Sequence, residues 1–262
     1  RPVVSSPSSP APASRARAFL VITAAYVAAL VVAALVVRWA GPDAHPLRAV
    51  AFADLAATLA IFAASALVDN SSAYDPYWSV APIVIAPWLA AHPTAAAAPL
   101  ARQALVIALV TLWGLRLTYN WARGFEDLTH EDWRYVELRR KSGRAYWLVS
   151  LFGIHLMPTV MVYLGCLALH PALTSPRPLG PLDALAAAVT LGAVAVELVA
   201  DEQLRAFRKE RREGEILARG LWAFSRHPNY FGEVSFWWGL FLFALAADPG
   251  AWWVGVGALA IT

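Results

Sequence analysis

Apolar runs close to membrane-spanning length recur along this chain and limit what it can fold into. They cover about residues 18–37, 49–68, 77–91, 101–121, 146–169, 181–200 and 234–247, and a partial run begins at about residue 250. The runs are continuous rather than alternating, which is typical of helices and not of barrel strands. Only helices and closed barrels satisfy their backbone hydrogen bonds inside a bilayer. The sequence therefore predicts an all-α, polytopic transmembrane helix bundle of about seven to eight helices.

The composition agrees with membrane insertion and excludes other classes of protein. Of the 262 residues, 59% are hydrophobic and 15% are charged, whereas soluble domains carry about 25% charged residues. The net charge of +3 comes from local basic loops and gives no signal for nucleic-acid binding. The single cysteine, Cys166, excludes a disulfide framework and a cysteine metal site. The histidines are too scattered for a metal cluster, so we predict no metal.

The two ends of the chain differ from its apolar body. Residues 1–17 are rich in Pro, Ser and Ala and cannot bury a core, so we expect a disordered N-terminal segment. Residues 18–262 form the predicted membrane domain. The chain begins with Arg1 rather than methionine, and its last residues are apolar without a polar flank. These features predict a fragment truncated at both ends, with its C-terminus inside a spanning segment.

Lysine and arginine collect in two of the loops. The segments 123–145 and 202–230 contain six and seven of these residues. Basic loops face the cytoplasm, and counting helices back places the N-terminus and the loop at 69–76 on the same side. The strongly charged loops are therefore predicted to lie at one membrane face, as a single cytoplasm-facing site would require.

The densest group of polar side chains stands at the start of the last long apolar run. Arg226-His227-Pro228-Asn229-Tyr230-Phe231-Gly232-Glu233 places a cation, an imidazole, an amide, a phenol and a carboxylate within eight residues. Ionisable groups are costly at that depth, so each needs another side chain or a polar ligand as its partner. The alternative is an ordinary helix start, with Asn229 as the N-cap and the two basic side chains at the headgroups.

The end of the sixth run carries charges on one helical face. The residues are spaced by four, four and three positions: Glu197, Asp201, Arg205 and Arg208. Two carboxylates one turn apart repel each other, which favours a ligand hydroxyl, an amide or a cation between them. The alternative is a salt-bridge ladder within the helix.

The fourth run also ends in polar side chains that share a face: Arg116, Asn120 and Arg123, with Tyr119 beside them. Arg116 lies about two turns inside the apolar run, where an unpaired arginine costs several kcal/mol. We expect it to pair with Asp201, Glu233 or a phosphate. The alternative is an arginine that extends to the interface.

The loop at 69–79 reaches the same predicted membrane face. Asp75-Pro76 is a turn signal, and a structural turn and a contribution to a site from Asn70, Asp75 and Tyr77 are both compatible with the sequence. Asp54 and His155 stand alone within helices, so we expect each to make an interhelical contact.

These motifs resemble the steroid 5-alpha-reductase family, in particular its bacterial members of undefined substrate. The resemblance rests on Gly220 through Glu233, on Asp201 through Arg208, and on Trp113 through Arg123 with Glu131 through Tyr135. It covers roughly residues 50–262. The Arg-His-Pro-Asn-Tyr signature is similar to one in sterol C14-reductases. A related signature occurs in isoprenylcysteine carboxyl methyltransferases and phospholipid methyltransferases, which bind S-adenosylmethionine.

The resemblance implies an NADPH-dependent oxidoreductase that acts on a CH–CH group of a lipid-soluble enone, such as a 3-oxo-Δ4-steroid. It also implies residence in the bilayer of a bacterial inner membrane, with the active site facing the cytoplasm. By position it implies cofactor contacts from Asp201, Arg208, Asn229, Tyr230 and Glu233, and Glu197 falls at another cofactor position. With the neighbouring polar residues, the predicted cofactor set is Glu197, Asp201, Arg208, Arg226, His227, Asn229, Tyr230, Glu233, Arg116, Asn120 and Arg123.

The resemblance also bears on the catalytic residues. Tyr119 lies near the position of the tyrosine that acts on the substrate carbonyl, and we expect Asp75 to support it. The family's glutamine-glutamate pair has no match, and the loop at 69–79 occupies about that region. NADPH is favoured as the cofactor because Glu233 follows Gly232 as in the reductases. The alternatives are an S-adenosylmethionine-dependent methyltransferase of a lipid or prenylcysteine, and a non-enzymatic sterol-binding membrane protein.

Overall fold

The computed structural model describes residues 12–212 and 214–262. Within these residues, six helices are long and apolar enough to cross a membrane, by their length and composition. They are Ser14–Ala40, Pro46–Leu67, Leu100–Gly124, Trp133–Cys166, Pro181–Glu210 and Pro228–Ala247. The prediction of an all-α, polytopic membrane protein is thereby confirmed.

The helices are numbered in chain order as α1 (Pro12–Ala40), α2 (Pro46–Leu67), α3 (Tyr77–Ala91), α4 (Leu100–Gly124), α5 (Trp133–Ser142), α6 (Tyr146–Val149), α7 (Met157–Cys166), α8 (Leu169–Thr174), α9 (Pro181–Glu210), α10 (Pro228–Ala247) and α11 (Gly255–Ile261). A π-helical segment, Ser150–Leu156, joins α6 to α7. It ends two residues before Pro158, whose missing N–H removes one α-helical hydrogen bond.

Two of the predicted runs form helices shorter than the six candidate spans. The third run is the 15-residue helix α3, whereas a spanning helix needs about 20 residues. The last run divides into a 3-10 turn, Pro249–Val254, and α11. Asp248 begins this turn, because its carboxylate accepts a hydrogen bond from the Gly250 N–H at 2.9 Å.

Helix α1 begins earlier than the sequence suggested. Residues 12–17 of the segment that was expected to be disordered belong to α1, and residues 1–11 lie outside the described part of the chain. Arg15 joins the first turns of α1 to the end of α4, since its guanidinium donates to the Ala122 carbonyl at 2.9 Å. It also stands 5.7 Å from the centre of the Phe19 ring.

The chain divides into two compact units. The first unit comprises residues 1–78 and 118–159, and the second comprises residues 79–117 and 160–262. In the first unit, α1 packs on α2. A chain of buried hydroxyls holds the first unit together: Thr58 and Tyr74 each lie 2.8 Å from the Thr159 hydroxyl. Such hydrogen bonds join segments that have no hydrophobic drive to associate in lipid.

In the second unit, α9 and α10 pack closely because glycines face the partner helix. A Cβ added at Gly239 would collide with Thr190, and one at Gly232 would lie 2.9 Å from the Ala193 carbonyl oxygen and nearer still to the Glu197 side chain. This close approach brings the polar start of α10 against the polar end of α9.

A buried ion pair joins the starts of α4 and α9 in the same unit. Arg102 is fully buried, and its Nε lies 2.6 Å from Oδ1 of Asp183. The remaining guanidinium N–H groups donate to the carbonyls of Arg177 and Pro178, and Asp183 accepts from the Gly180 N–H. Since both charged groups of this buried ion pair have hydrogen-bond partners within the protein, a structural role is enough to explain it.

Candidate functional site

A charged cluster in the second unit centres on Arg116 of α4. Its guanidinium donates to the carboxylate of Glu197 and, at 2.9 Å, to Oδ2 of Asp201, both on α9. The Arg116 side chain is 7% exposed and that of Glu197 is 2% exposed. The predicted pairing of Arg116 with Asp201 is confirmed. Of the ligand hydroxyl, amide or cation that the two carboxylates favoured between them, the fold supplies a cation, Arg116.

Glu233 of α10 is held by two indoles rather than by Arg116. The Trp237 Nε1–H donates to Oε1 of Glu233 at 2.8 Å, and the Trp113 Nε1–H donates to Oε2 at 3.1 Å. Trp113 is fully buried and stacks on Phe236 with 4.5 Å between ring centres. A buried indole N–H needs an acceptor, so this arrangement fixes the Glu233 carboxylate within the unit.

These two indoles were not among the site residues predicted from the sequence. Trp113 lies three residues before Arg116 on α4, and Trp237 lies four residues after Glu233 on α10. Both spacings put the side chains on one helical face. A tryptophan one turn from a membrane-embedded charged residue was therefore the signal available.

Asn229 reaches the cluster from the first turn of α10. Its side-chain amide donates to Oδ1 of Asp201 at 3.4 Å. The interpretation of Asn229 as the N-cap is wrong: His227 is the N-cap, and its side chain makes no capping hydrogen bond. Pro228 occupies the first helical position, where its missing N–H costs nothing, and Asn229 is left to face α9.

Three buried atoms of this cluster have no hydrogen-bond partner among the described residues: Glu197 Oε1, Arg116 Nε and Asn229 Oδ1. Glu197 faces Glu233, but one carboxylate can donate to another only if it carries a proton. Leaving a buried polar group unpaired costs about 1–3 kcal/mol. The cluster therefore has unused donor and acceptor capacity that a polar ligand could fill.

The remaining predicted cofactor residues of the second unit lie at the solvent-exposed margin of α9 and α10. Arg208 and Arg226 are exposed. His227 stacks on Tyr230 with 5.2 Å between ring centres, and both side chains are exposed. These guanidinium groups are suited to phosphates, whereas none of the four belongs to the buried hydrogen-bond network.

In the first unit, the end of α4 presents Tyr119 with two of its predicted neighbours. Arg123 donates to Oδ1 of Asn120 at 3.2 Å, and its guanidinium lies 4.7 Å from the centre of the Tyr119 ring. The shared face of Asn120 and Arg123 is confirmed. Tyr119 is 61% exposed, so its phenol is accessible.

Asp75 is bonded to a tyrosine other than the one expected. The Tyr135 hydroxyl donates to Oδ1 of Asp75 at 2.8 Å, so Tyr135 and not Tyr119 is its phenolic partner. Burial raises the pKa of Asp75 to about 7, although the hydrogen bond from Tyr135 acts in the opposite direction. This carboxyl can consequently exchange a proton near neutral pH.

Asn70 has a structural role in the loop at 69–79. Its amide donates to the carbonyls of Leu128 and His130 at 2.8 and 3.0 Å, and its oxygen accepts from the Ser72 N–H. With its side-chain donors committed to two carbonyls and its oxygen also engaged, Asn70 holds the 3-10 turn Ser71–Tyr74 in place.

A second network of the first unit involves residues that the sequence analysis did not select. Glu131 accepts from the Ser71 N–H at 2.7 Å and from the Tyr146 hydroxyl at 3.0 Å, and Arg139 lies 3.3 Å from its other oxygen. The Arg139 guanidinium also covers the Tyr146 ring at 4.0 Å. These contacts connect the loop after α4 to α5 and α6.

The two isolated polar residues make the interhelical contacts that were expected. Asp54 accepts from the Tyr77 hydroxyl at 2.7 Å. His155 lies in the π-helical segment, with Nδ1 3.0 Å from the Ser150 carbonyl oxygen and Nε2 3.2 Å from the Ser65 hydroxyl. Among the described residues, no group of three or more His, Cys, Asp or Glu side chains is arranged to hold a metal ion.

Comparison with known proteins places the chain in a family. Residues 61–262 match the model of a family described as "Protein of unknown function (DUF1295)". The chain is also similar to an uncharacterized protein of Schizosaccharomyces pombe, with 25% identity over 211 residues. That match covers 72% of this chain and 61% of the relative's length. No solved structure matches the chain. Since the family model covers most of its residues, the chain belongs to the DUF1295 family.

Proposed function

We propose that this chain is an NADPH-dependent reductase that acts within a membrane on a lipid-soluble enone, such as a 3-oxo-Δ4-steroid. The observation that carries the proposal is the buried cluster of Arg116, Glu197, Asp201, Asn229 and Glu233, with its unpartnered donor and acceptor atoms. Buried charge inside membrane helices is costly and is kept where it serves a function.

The residues of the second unit fit a dinucleotide in their chemical types. The acceptor atoms Glu197 Oε1 and Asn229 Oδ1 suit amide and hydroxyl donors. The exposed guanidinium groups of Arg208 and Arg226 suit phosphates. The two indoles keep the Glu233 carboxylate in a fixed position, so that it need not reorganise when a ligand binds.

The resemblance to the steroid 5-alpha-reductases supports the same assignment. It implies cofactor contacts from Asp201, Asn229 and Glu233, and all three belong to this one cluster. The DUF1295 family includes steroid 5-alpha-reductase-like proteins. NADPH, when bound, supplies the hydride for the β carbon of the enone, and a proton added at the α carbon completes the reduction.

The protein's part in this chemistry is to polarise the carbonyl and to control protons. Tyr119 remains the proposed hydrogen-bond donor to the carbonyl, because its phenol is accessible. Tyr135 is a second candidate, since it is bonded to Asp75. With a pKa of about 7, Asp75 can serve as a proton store for this tyrosine. In an apolar surrounding, a hydrogen bond to the developing enolate is worth more than in water.

The test is turnover by the purified protein in detergent, followed through the loss of NADPH absorbance. We expect a conjugated 3-oxo-steroid, but not its saturated analogue, to consume NADPH. Tyr119→Phe should lower the rate on the order of 10²-fold if Tyr119 is the acid, and Tyr135→Phe should do so if the acid is Tyr135. Glu210→Gln, which removes an exposed carboxylate at the end of α9, is the matched control and should leave the rate unchanged.

The competing assignment is a methyltransferase, because a signature related to Arg-His-Pro occurs in methyltransferases that bind S-adenosylmethionine. Methyl transfer from S-adenosylmethionine needs an open path to the nucleophile and no acid at a carbonyl, so both Tyr→Phe variants would retain activity. Methylation of a lipid with no NADPH consumption would replace the proposed function. Sterol binding without turnover of either cofactor would instead identify a binding protein.

A further inference from the structure

The segment 211–227, which joins α9 to α10, presents two large apolar side chains outward. Ile216 is 87% exposed and Phe224 is 91% exposed. Single exposed apolar residues are common on any surface. Here both stand in one short connection between two membrane-spanning helices, which is the part of a chain that meets the bilayer surface.

Two hydrogen bonds hold the segment to α9. Leu217, next to Ile216, is buried. The Leu221 N–H donates to the Gln203 side chain at 2.9 Å, and the Trp222 indole donates to the Ala200 carbonyl at 3.0 Å. A glycine at 220, with φ of +59°, allows the tight approach to Gln203. The outward position of Phe224 therefore follows these two hydrogen bonds, and Ile216 is exposed beside the buried Leu217.

Cations flank the two apolar side chains along the sequence. Four arginines of the segment are exposed: Arg211, Arg212, Arg219 and Arg226. The sequence of the segment holds two glutamates, so its net charge is +2 with His227 neutral. Exposed arginines with outward apolar side chains match the chemistry of an anionic leaflet, where headgroups attract the cations and the acyl boundary accepts the apolar groups.

We propose that the segment 211–227 is a surface anchor that binds the anionic lipid leaflet, with Ile216 and Phe224 inserted below the headgroups. A protein partner fits less well, because a stable interface takes about 20–30 residues a side and only two large apolar side chains are offered here. The proposal does not depend on the proposed catalytic function, since neither apolar residue belongs to the cofactor set.

Site-directed fluorescence tests the insertion directly. The full chain carries one native thiol, Cys166, which is buried, and a Cys166→Ala background removes it. A polarity-sensitive label is attached in turn at Ile216→Cys, Phe224→Cys and Glu215→Cys, the last being the matched control within the segment. The protein is placed in vesicles of phosphatidylcholine alone or with phosphatidylglycerol.

We expect nitroxides near the acyl carbonyl groups to quench the labels at 216 and 224 at least about twofold more than the label at 215. This difference should grow when phosphatidylglycerol is present, and Arg211→Gln/Arg219→Gln should abolish that growth. Equal access of aqueous iodide to all three labels in both vesicles would overturn the proposal. Shielding of the labels without quenching by the lipid nitroxide would overturn it in favour of a protein partner.

The unlabelled protein provides an independent measurement if a cysteine variant fails to fold. Trypsin can cleave after Arg211, Arg212 and Arg219, which lie in the proposed contact. Binding to the leaflet should slow cleavage in vesicles with phosphatidylglycerol relative to phosphatidylcholine. Cleavage at equal rates in the two vesicles would contradict a role for anionic lipid.

Discussion

Replacing Arg116 by methionine tests whether the charged cluster holds the second unit together. The Arg116 side chain is 7% exposed, and it bonds two carboxylates whose side chains are 2% and 14% exposed, those of Glu197 and Asp201. Removing one partner of a buried ion pair costs about 3–5 kcal/mol, because the other charge is left buried. We expect the lower end of that range, since Asp201 has some contact with solvent.

Thermal unfolding in detergent, followed by tryptophan fluorescence, measures the loss. For a chain of this size, about 3 kcal/mol corresponds to a fall in Tm of roughly 6–12 °C. Adding Glu197→Gln to Arg116→Met should recover part of the loss, because one of the two unpaired charges is then removed. A fall of less than about 2 °C, or a double variant no more stable than Arg116→Met, would refute the assignment of these charges as a coupled buried cluster.

Three further predictions concern the two units separately. Arg102→Met should cost about 3–5 kcal/mol in thermal unfolding, because the Asp183 carboxylate is left buried, and Arg102→Met/Asp183→Asn should be less damaging than the single change. Gly232→Ala should cost about 1–3 kcal/mol in the same assay, because its methyl group would press on Glu197, and an unchanged Tm would contradict the close packing of α9 and α10. Asp75 has a pKa raised to about 7 in the fold from about 3.9 in the unfolded chain. The folded state therefore holds its proton more firmly, and stability falls by at most about 1.4 kcal/mol per unit as pH rises from about 4 to 7. Asp75→Asn should reduce this slope, and an unchanged slope would count against the raised pKa.

The sequence predicted the membrane helices well because continuous apolar runs give a direct signal. The third run, Tyr77–Ala91, is apolar throughout but forms a helix of only 15 residues, shorter than the six candidate spans. Residues 12–17 form the start of α1. Composition alone could not show that Arg15 has a carbonyl partner on Ala122.

Pairings between helices were only partly predictable. Arg116 lies about two turns inside an apolar run, so a negatively charged partner was expected. Asp201 was one of the expected partners and is the one found. That Glu233 would instead bond two indoles depends on how α4 and α10 are placed in the second unit. The same holds for Asp75, whose partner Tyr135 is 60 residues away along the chain. Helical spacing relates residues on one helix and carries no information about which helices are neighbours.

The most direct test of the account is cofactor binding to the cluster of Arg116, Glu197, Asp201, Asn229 and Glu233. Thermal unfolding of the purified protein is measured with NADPH, NADH or S-adenosylmethionine. A ligand at about 100 times its dissociation constant stabilises the fold by about 2.7 kcal/mol. The account predicts a rise in Tm with NADPH that is lost in Asn229→Ala and Glu233→Gln and kept in Glu210→Gln. A rise with S-adenosylmethionine alone, or no rise with any of the three, would contradict it.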